Sequence, residues 1–236
     1  MKIRSVLNGA MLLSMLIVAS AQAAPEPSPT PVKWELSLTP SSPMRIEVDL
    51  GSGRQTFWYL LYTVTNNTGR EVDFHPNIVR VNEIESEVPA DMASSMPEQA
   101  SRITVDPAIV GPRPKVFSAI RELHAKTHPF LVRPVDAITT LRQGKDNALT
   151  SVAIFKDLDV RVSKFTVFFS GLSGERLRKP NPAYKPDTKG SADRKDVSQR
   201  FFLLTKTLAM PYTLPGDVRT RRYATPILGR MKWVMR

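Results

Sequence analysis

The sequence predicts a mainly β fold in which antiparallel strands form a sandwich, with one inserted helix. Apolar and polar residues alternate along residues 34–38, 46–50 and 78–84, which is the pattern of strands that bury one face. Residues 55–66 (QTFWYLLYTVTN) are rich in aromatic and β-branched residues, which favour strands. One segment, residues 116–126, spaces its apolar side chains as an amphipathic helix does.

The remaining elements follow from the positions of apolar runs and turn-forming residues. At least five strands are expected before residue 85, and prolines divide residues 86–115 into pieces too short for regular structure. Residues 175–199 combine Lys, Arg, Asp and Pro with few apolar residues, so we expect a mobile surface loop there. Further strands are expected over residues 130–141, 150–155, 160–169 and 200–207. The expected core residues are Trp34, Trp58, Leu60, Tyr62, Val64, Ile154, Val167, Phe169, Phe202 and Leu204.

The composition excludes several classes of chemistry. The chain has 236 residues, no cysteine, and 33 Lys and Arg residues against 22 Asp and Glu residues. Without cysteine, disulfides, thiol catalysis, iron–sulfur clusters and cysteine zinc sites are excluded. A chain of this length buries enough apolar surface to fold without covalent cross-links. The formal net charge of +11 predicts affinity for anionic surfaces.

The N-terminal residues have the three parts of an export signal. Lys2 and Arg4 supply a positive start, residues 10–19 form an uncharged apolar run, and Ala21-Gln22-Ala23 has the small-x-small pattern of a cleavage site. We therefore expect a signal peptide over residues 1–23 and an exported protein, periplasmic or extracellular, with no integral membrane span after cleavage. The alternative of a retained N-terminal anchor stays open, although the apolar run is about half the ~20 residues that a spanning helix needs.

The mature chain is expected to form one domain behind a short linker. Residues 24–33 alternate proline with small or charged residues, which is typical of an extended tether. A single β-sandwich domain over residues 34–236 follows. We expect it to contain an insertion over residues 86–128 and the mobile loop over residues 175–199.

Four short motifs carry a resemblance to a bacterial domain family. The aromatic strand FWY at residues 57–59 leads into V-T-N-N-T-G at 64–69, a turn Q-G-K follows at 143–145, and the short strand V-A-I-F follows at 152–155. In this order they resemble the motifs of bacterial extracytoplasmic immunoglobulin-like domains, and residues 34–214 are similar to a family of bacterial secreted proteins built around such a domain. The resemblance implies an immunoglobulin-like β-sandwich outside the cytoplasm. It brings no catalytic or binding residues with it.

No catalytic, cofactor or metal site is predicted, and the histidines carry the main alternative. His124 and His128 are four residues apart, a spacing that on a helix directs both imidazoles at one metal ion, and His75 is a third candidate ligand. Asp157 and Asp159 could hold Ca²⁺ or serve acid/base chemistry on a strand, and on a turn they are simply solvated. The alternative function is therefore a hydrolytic or metal-dependent extracytoplasmic enzyme that uses these histidines with nearby acids.

Two basic segments predict a surface for polyanions. The expected contact residues are Arg176, Arg178, Lys179 and Lys185 in the loop and Arg219, Arg221 and Arg222 in the tail, which also carries Arg230, Lys232 and Arg236. Such side chains bind polyanions by neutralising charge and releasing counterions. The partners left open are lipid head groups, acidic envelope polysaccharide, extracellular nucleic acid and another envelope protein. A solvated loop that binds nothing is also open. The predicted function is a non-catalytic, exported structural or binding module of the cell envelope.

Overall fold

A computed structural model describes residues 25–84, 103–111, 113–184 and 200–236 of the protein. The expected signal peptide, Lys185 and most of the expected mobile loop lie outside these residues. The described strands, in chain order, are β1 (Ser37–Pro40), β2 (Met44–Asp49), β3 (Arg54–Thr65), β4 (Val72–Phe74), β5 (Asn77–Ile84), β6 (Ile103–Pro107), β7 (Thr139–Leu141), β8 (Leu149–Lys156), β9 (Val162–Ser170), β10 (Arg176–Pro180), β11 (Phe201–Thr213), β12 (Ile227–Leu228) and β13 (Lys232–Met235). The helix α1 (Pro114–Leu123) lies between β6 and β7.

Two antiparallel sheets contain most of these strands. In the four-stranded first sheet, β1 and β2 pair end to end along one edge of β3, and β8 pairs along the other. The seven-stranded second sheet has the order β10-β11-β9-β5-β6, while β12 and β13 also pair with β11. The mainly β prediction is therefore confirmed, together with the five strands expected before residue 85.

Side chains from both sheets form one core. Trp58 and Leu60 of β3 belong to the same buried cluster as Phe169 of β9 and Met210 of β11. Tyr62 of β3 meets Phe169 edge to face, with ring centroids 5.0 Å apart. The face of each sheet that contributes to this core is called the inner face below, and the opposite face of the second sheet is called its outer face.

The helix α1 covers the opposite face of the first sheet. Phe57 and Tyr59 of β3 cluster with Val116, Phe117 and Ile120 of the helix. Because β3 is buried on both faces, its apolar residues form a continuous run rather than an alternating one. The predicted helix is confirmed, although it ends three residues earlier than expected, at Leu123. It begins two residues early because the fixed φ of proline suits the first helical turn.

The predicted core is correct in its centre and wrong at one end. Trp58, Leu60, Tyr62, Val64, Val167 and Phe169 lie in the shared core, Trp34 packs against it, and Ile154 is buried on the helix side. The predictions for Phe202 and Leu204 are wrong. Phe202 is 51% exposed and Leu204 is half-buried outside both clusters, because this part of β11 lies beyond the end of its pairing with β9 at Leu208.

Three further predictions about the secondary structure of individual segments also need correction. The expected insertion contains β6, which pairs with β5 and therefore belongs to the second sheet. Within residues 130–141 β7 is the one strand, Val132 forms an isolated bridge with Ser151, and turns occupy most of the rest. Residues 176–180, expected in the mobile loop, form β10, because the start of β11 offers them a complete set of backbone partners.

The expected tether is held to the domain at Ser28. Its N–H donates to Glu175 Oε1 (2.9 Å) and its carbonyl oxygen accepts from Lys206 Nζ (3.1 Å). Lys206 is 2% exposed and also forms ion pairs with Glu35 (3.0 Å) and Glu175 (3.4 Å). This segment is therefore packed at Ser28 rather than freely extended.

Side chains close the turn that follows β3. Asn66 is 1% exposed, and its Nδ2 donates to the carbonyl oxygen of Leu141 (2.8 Å). Its Oδ1 accepts from the N–H of Thr68 (3.0 Å) and from Nε2 of Gln143 (3.0 Å). Two of the sequence motifs, V-T-N-N-T-G and Q-G-K, therefore meet in one hydrogen-bond network.

The outer edge of β8 is covered by two segments that flank α1 in the chain. The N–H of Ile109 donates to the carbonyl oxygen of Ile154 (2.7 Å), and the N–H of Val132 donates to that of Thr150 (2.9 Å). The hydroxyl of Ser151 donates to the carbonyl oxygen of Val132 (3.0 Å). As a result, β8 has hydrogen-bonded neighbours along both edges.

Candidate functional site

Cationic side chains gather on the outer face at one end of the second sheet. Arg176 lies opposite Thr205 in the pairing of β10 with β11, and Arg178 lies two residues further along β10. Residues that are paired in register share a face, and the even-numbered residues of β11 such as Met210 lie on the inner face. Both arginines therefore project from the outer face, where both are exposed.

The C-terminal strand adds two more cations to this end. The N–H groups and carbonyl oxygens of Arg236 and Thr205 are joined by two backbone hydrogen bonds (2.7 and 3.1 Å). The guanidinium of Arg236 lies 4.2 Å from the ring centroid of Phe168 on the outer face. Lys232 is opposite Ala209 and shares this face. We call Arg176, Arg178, Lys232 and Arg236 the basic cluster.

The acidic side chains of the described strands lie away from the basic cluster. On the outer face of the described strands of the second sheet the one acid is Glu83, which pairs in register with Lys164 at the other end of the sheet. Glu175, although next to Arg176 in the chain, belongs to the inner face with Lys206. Within the described part of the chain, the side chains of Arg176, Arg178 and Lys232 form no hydrogen bond or ion pair. No described side chain therefore neutralises these three charges.

The structure divides the predicted polyanion-binding residues. Arg176 and Arg178 lie together, while Lys179 is on the inner side of β10 opposite Phe202. Arg219 and Arg222 are exposed but follow the far end of β11, whose 13 residues span about 40 Å. The loop arginines and these two tail arginines therefore do not form one continuous surface.

Arg221 is a structural residue, not a surface contact. It is 5% exposed, and its guanidinium donates to the carbonyl oxygens of Gly216 (3.1 Å) and Arg161 (3.4 Å). A buried guanidinium needs such acceptors because its charge cannot be neutralised by deprotonation. The prediction that Arg221 contacts a polyanion is wrong for this reason.

The sequence prediction missed the apolar side chains beside the basic cluster. Phe201 is 43% exposed and Leu203 is 56% exposed, and both lie on the outer face. The apolar run in RFFLLTKT correctly predicts a strand but does not show where the core ends. The alternation of Lys232, Val234 and Arg236 could have placed both tail cations on one face.

The structure does not bring all three histidines together at one site. His124 Nε2 lies 2.9 Å from the hydroxyl of Tyr59, and its ring centroid is 5.8 Å from that of His128. Burial, followed by the charge of His128, lowers the pKa of His124, and burial raises the pKa of Tyr59. His75 lies instead beside Gly171 at the end of β9, on the other side of the first sheet. Within the described ranges, no three His, Asp or Glu side chains are grouped as a metal site requires.

The two aspartates of the D-x-D pair have local structural partners. Asp157 Oδ1 accepts from Trp58 Nε1 (3.0 Å) and from the N–H of Leu158 (2.9 Å). Asp159 accepts from the guanidinium of Arg161 (2.7 Å), and this hydrogen bond holds the pKa of Asp159 below its usual value. Both carboxylates therefore stabilise the connection between β8 and β9.

Comparison with family models, with curated proteins and with solved structures found no match to this chain. In the part of the chain that the structure describes, no helix has the length and apolar character needed to cross a membrane.

Proposed function

We propose that the protein is an exported, non-catalytic module of the bacterial cell envelope that binds an anionic partner through the basic cluster. The observation that carries the proposal is the placement of Arg176, Arg178, Lys232 and Arg236 on one end of an open sheet face. The single acid on that face of the described strands lies at the other end. Each exposed cation that neutralises an anionic group releases a condensed counterion, which favours binding at low salt.

The immunoglobulin-like arrangement belongs to the same proposal. Two antiparallel sheets with a shared core, and the meeting of the V-T-N-N-T-G and Q-G-K motifs, support it. The chain extends the seven-stranded plan of such domains with additional strands and with a helix on the first sheet. The basic cluster lies on β10 and β13 and on Arg236, which directly follows β13.

Replacing Arg176 and Arg178 with glutamine should weaken retention on immobilised heparin, a sulfated polymer used here as the probe. Loss of two cations should reduce the slope of log affinity against log salt concentration by about 2. The thermal unfolding midpoint should hardly change, because exposed charges contribute little to folding. Salt-gradient elution and a thermal melt of the same samples measure both quantities.

The matched control is the pair Arg219→Gln and Arg222→Gln. It removes the same charge from exposed arginines at the far end of β11, so it should retain most of the affinity and of the salt slope. Equal losses in the two double variants would mean that net charge alone drives retention, and the proposed site would be withdrawn.

Export is tested by the mass of the protein recovered from its native cell. The positive start, the apolar run and the small residues before Ala24 should direct cleavage, so the intact mass should match a chain that begins at Ala24 or Pro25. The same protein should be found in the envelope or extracellular fraction. A full-length chain that begins at Met1 in the cytoplasmic fraction would contradict the proposal.

A further inference from the structure

We infer that the anionic partner is a lipid surface and that the start of β11, paired with β10, lies in its headgroup region. This inference rests on the proposed function and names the partner of the same site. The element concerned is β10 (Arg176–Pro180) together with residues 201–205, which we call the ribbon.

The ribbon extends beyond the rest of the sheet. The pairing of β9 with β11 ends at Leu208, and β13 reaches β11 no further than the contact between Arg236 and Thr205. Residues 201–204 therefore pair only with β10 among the described strands. Neither core cluster contains any of these four residues.

Both faces of the ribbon expose large apolar side chains. On the outer face Phe201 is 43% exposed and Leu203 is 56% exposed, and on the inner face Phe202 is 51% exposed and Leu177 is 41% exposed. A two-stranded ribbon with no apolar cover is marginally stable in water. A concentrated set of exposed apolar residues of this kind marks a surface that another phase or molecule covers.

Cations accompany these apolar side chains on both faces. Arg176 and Arg178 lie on the outer face with Phe201 and Leu203, and Lys179 lies on the inner face opposite Phe202. Long basic side chains keep their charge at headgroup level while their methylene stems pass along apolar groups. Anionic headgroups above an acyl boundary match this combination of charge and apolar surface on both sides of the ribbon.

Other partners that could cover the ribbon match its charge and apolar surface less well than a lipid surface does. A soluble polyanion neutralises the cations but leaves the phenylalanines in water. A second copy of the chain would bring the same cations together, and like charges in contact oppose association. Residues 185–199, which form most of the segment that joins the two ribbon strands, have Val197 as their one large apolar residue, so their composition provides little apolar surface to cover the ribbon.

The absence of cysteine from the chain permits a site-specific test. Leu203→Cys is labelled with an environment-sensitive fluorophore and mixed with vesicles of phosphatidylglycerol and phosphatidylcholine. Emission should shift to shorter wavelength and intensify, and high salt should diminish the response. The control is Phe130→Cys, which labels an 89% exposed position outside the ribbon and should respond little.

A second variant separates lipid binding from polyanion binding. Phe201→Ser combined with Phe202→Ser should weaken partitioning into the mixed vesicles by about tenfold or more, because two half-exposed aromatic rings lose their apolar contacts. Retention on heparin should be unchanged, because all four cations of the basic cluster remain. Circular dichroism confirms that the variant is folded.

Each contrary result has a distinct meaning. Heparin retention without a response to the mixed vesicles would overturn the lipid inference and leave the proposed function standing. Loss of heparin retention together with the vesicle response would overturn the proposed function as well as the lipid inference. An equal response to pure phosphatidylcholine vesicles would show that the cations do not contribute to binding, and the inference of an anionic lipid surface would be overturned. A wavelength shift that grows with protein concentration in the absence of vesicles would show that a second copy covers the ribbon.

Discussion

Replacing Asp106 with alanine should lower the free energy of unfolding by about 3–5 kcal/mol, the usual cost of removing one partner from a buried ion pair. Arg80 is 1% exposed, and its Nη2 donates to Asp106 Oδ2 (2.8 Å) and to the carbonyl oxygen of Lys156 (3.1 Å). Burial lowers the pKa of Arg80, and the hydrogen bond to Asp106 opposes this effect. Without Asp106 the guanidinium would stay charged between the sheets and lose the one carboxylate that is hydrogen-bonded to it, while Asp157 remains nearby. Urea unfolding followed by circular dichroism measures the change.

The exposed pair formed by Arg133 and Asp136 is the matched control. Asp136→Ala breaks an ion pair of the same two residue types, but the side chains are 63% and 39% exposed, so the loss of stability should be much smaller than in Asp106→Ala. Arg80→Met should cost less than Asp106→Ala, because Asp106 is partly exposed and can be hydrated. Similar losses in Asp106→Ala and Asp136→Ala would show that burial does not govern the Arg80 pair.

Replacing Asn66 with alanine should lower the free energy of unfolding by about 3 kcal/mol. The change removes the donor to the Leu141 carbonyl oxygen and the acceptor for Thr68 and Gln143, so several polar groups lose a partner in a largely buried site. Denaturant unfolding measures the loss. The strands on either side of the turn should also exchange amide hydrogens faster, because the network joins the end of β3 to the segment that precedes β8.

The next residue along the chain provides the control for Asn66. Asn67 is exposed, and among the described residues its side chain forms no hydrogen bond, so Asn67→Ala should change stability by less than about 0.5 kcal/mol. If both alanine variants behave alike, turn propensity rather than the Asn66 network holds this connection.

Local sequence patterns correctly predict those elements whose structure depends on residues close together in the chain. The apolar spacing of Val116, Phe117 and Ile120 predicts α1 because those side chains define one helical face. The aromatic and β-branched residues of β3 predict a strand for the same local reason. They do not reveal that both faces are buried, which depends on a helix that begins 49 residues after the end of β3.

The errors concern features that depend on distant strands. Phe202 and Leu204 continue the same alternation as Leu208 and Met210, so only the end of the pairing between β11 and β9 separates exposed from buried positions. The sequence predicts a loop at the basic residues of β10, because strand propensity depends only on the residues of the segment itself and not on the strand that pairs with it. The pairing of β13 with β11 brings Arg236 to Arg176 across sixty residues of chain, which no local pattern contains.

The covered edge of β8 has a consequence for contacts between molecules. Residues 152–155 (VAIF) are uncharged and strongly strand-forming, and an exposed edge of this type recruits strands from other molecules into aggregates. Ile109 and Val132 already occupy that edge with their own backbone N–H groups. Because they flank α1 in the chain, docking of the helix also blocks intermolecular strand addition. A substitution that loosened α1 would therefore endanger solubility as well as stability.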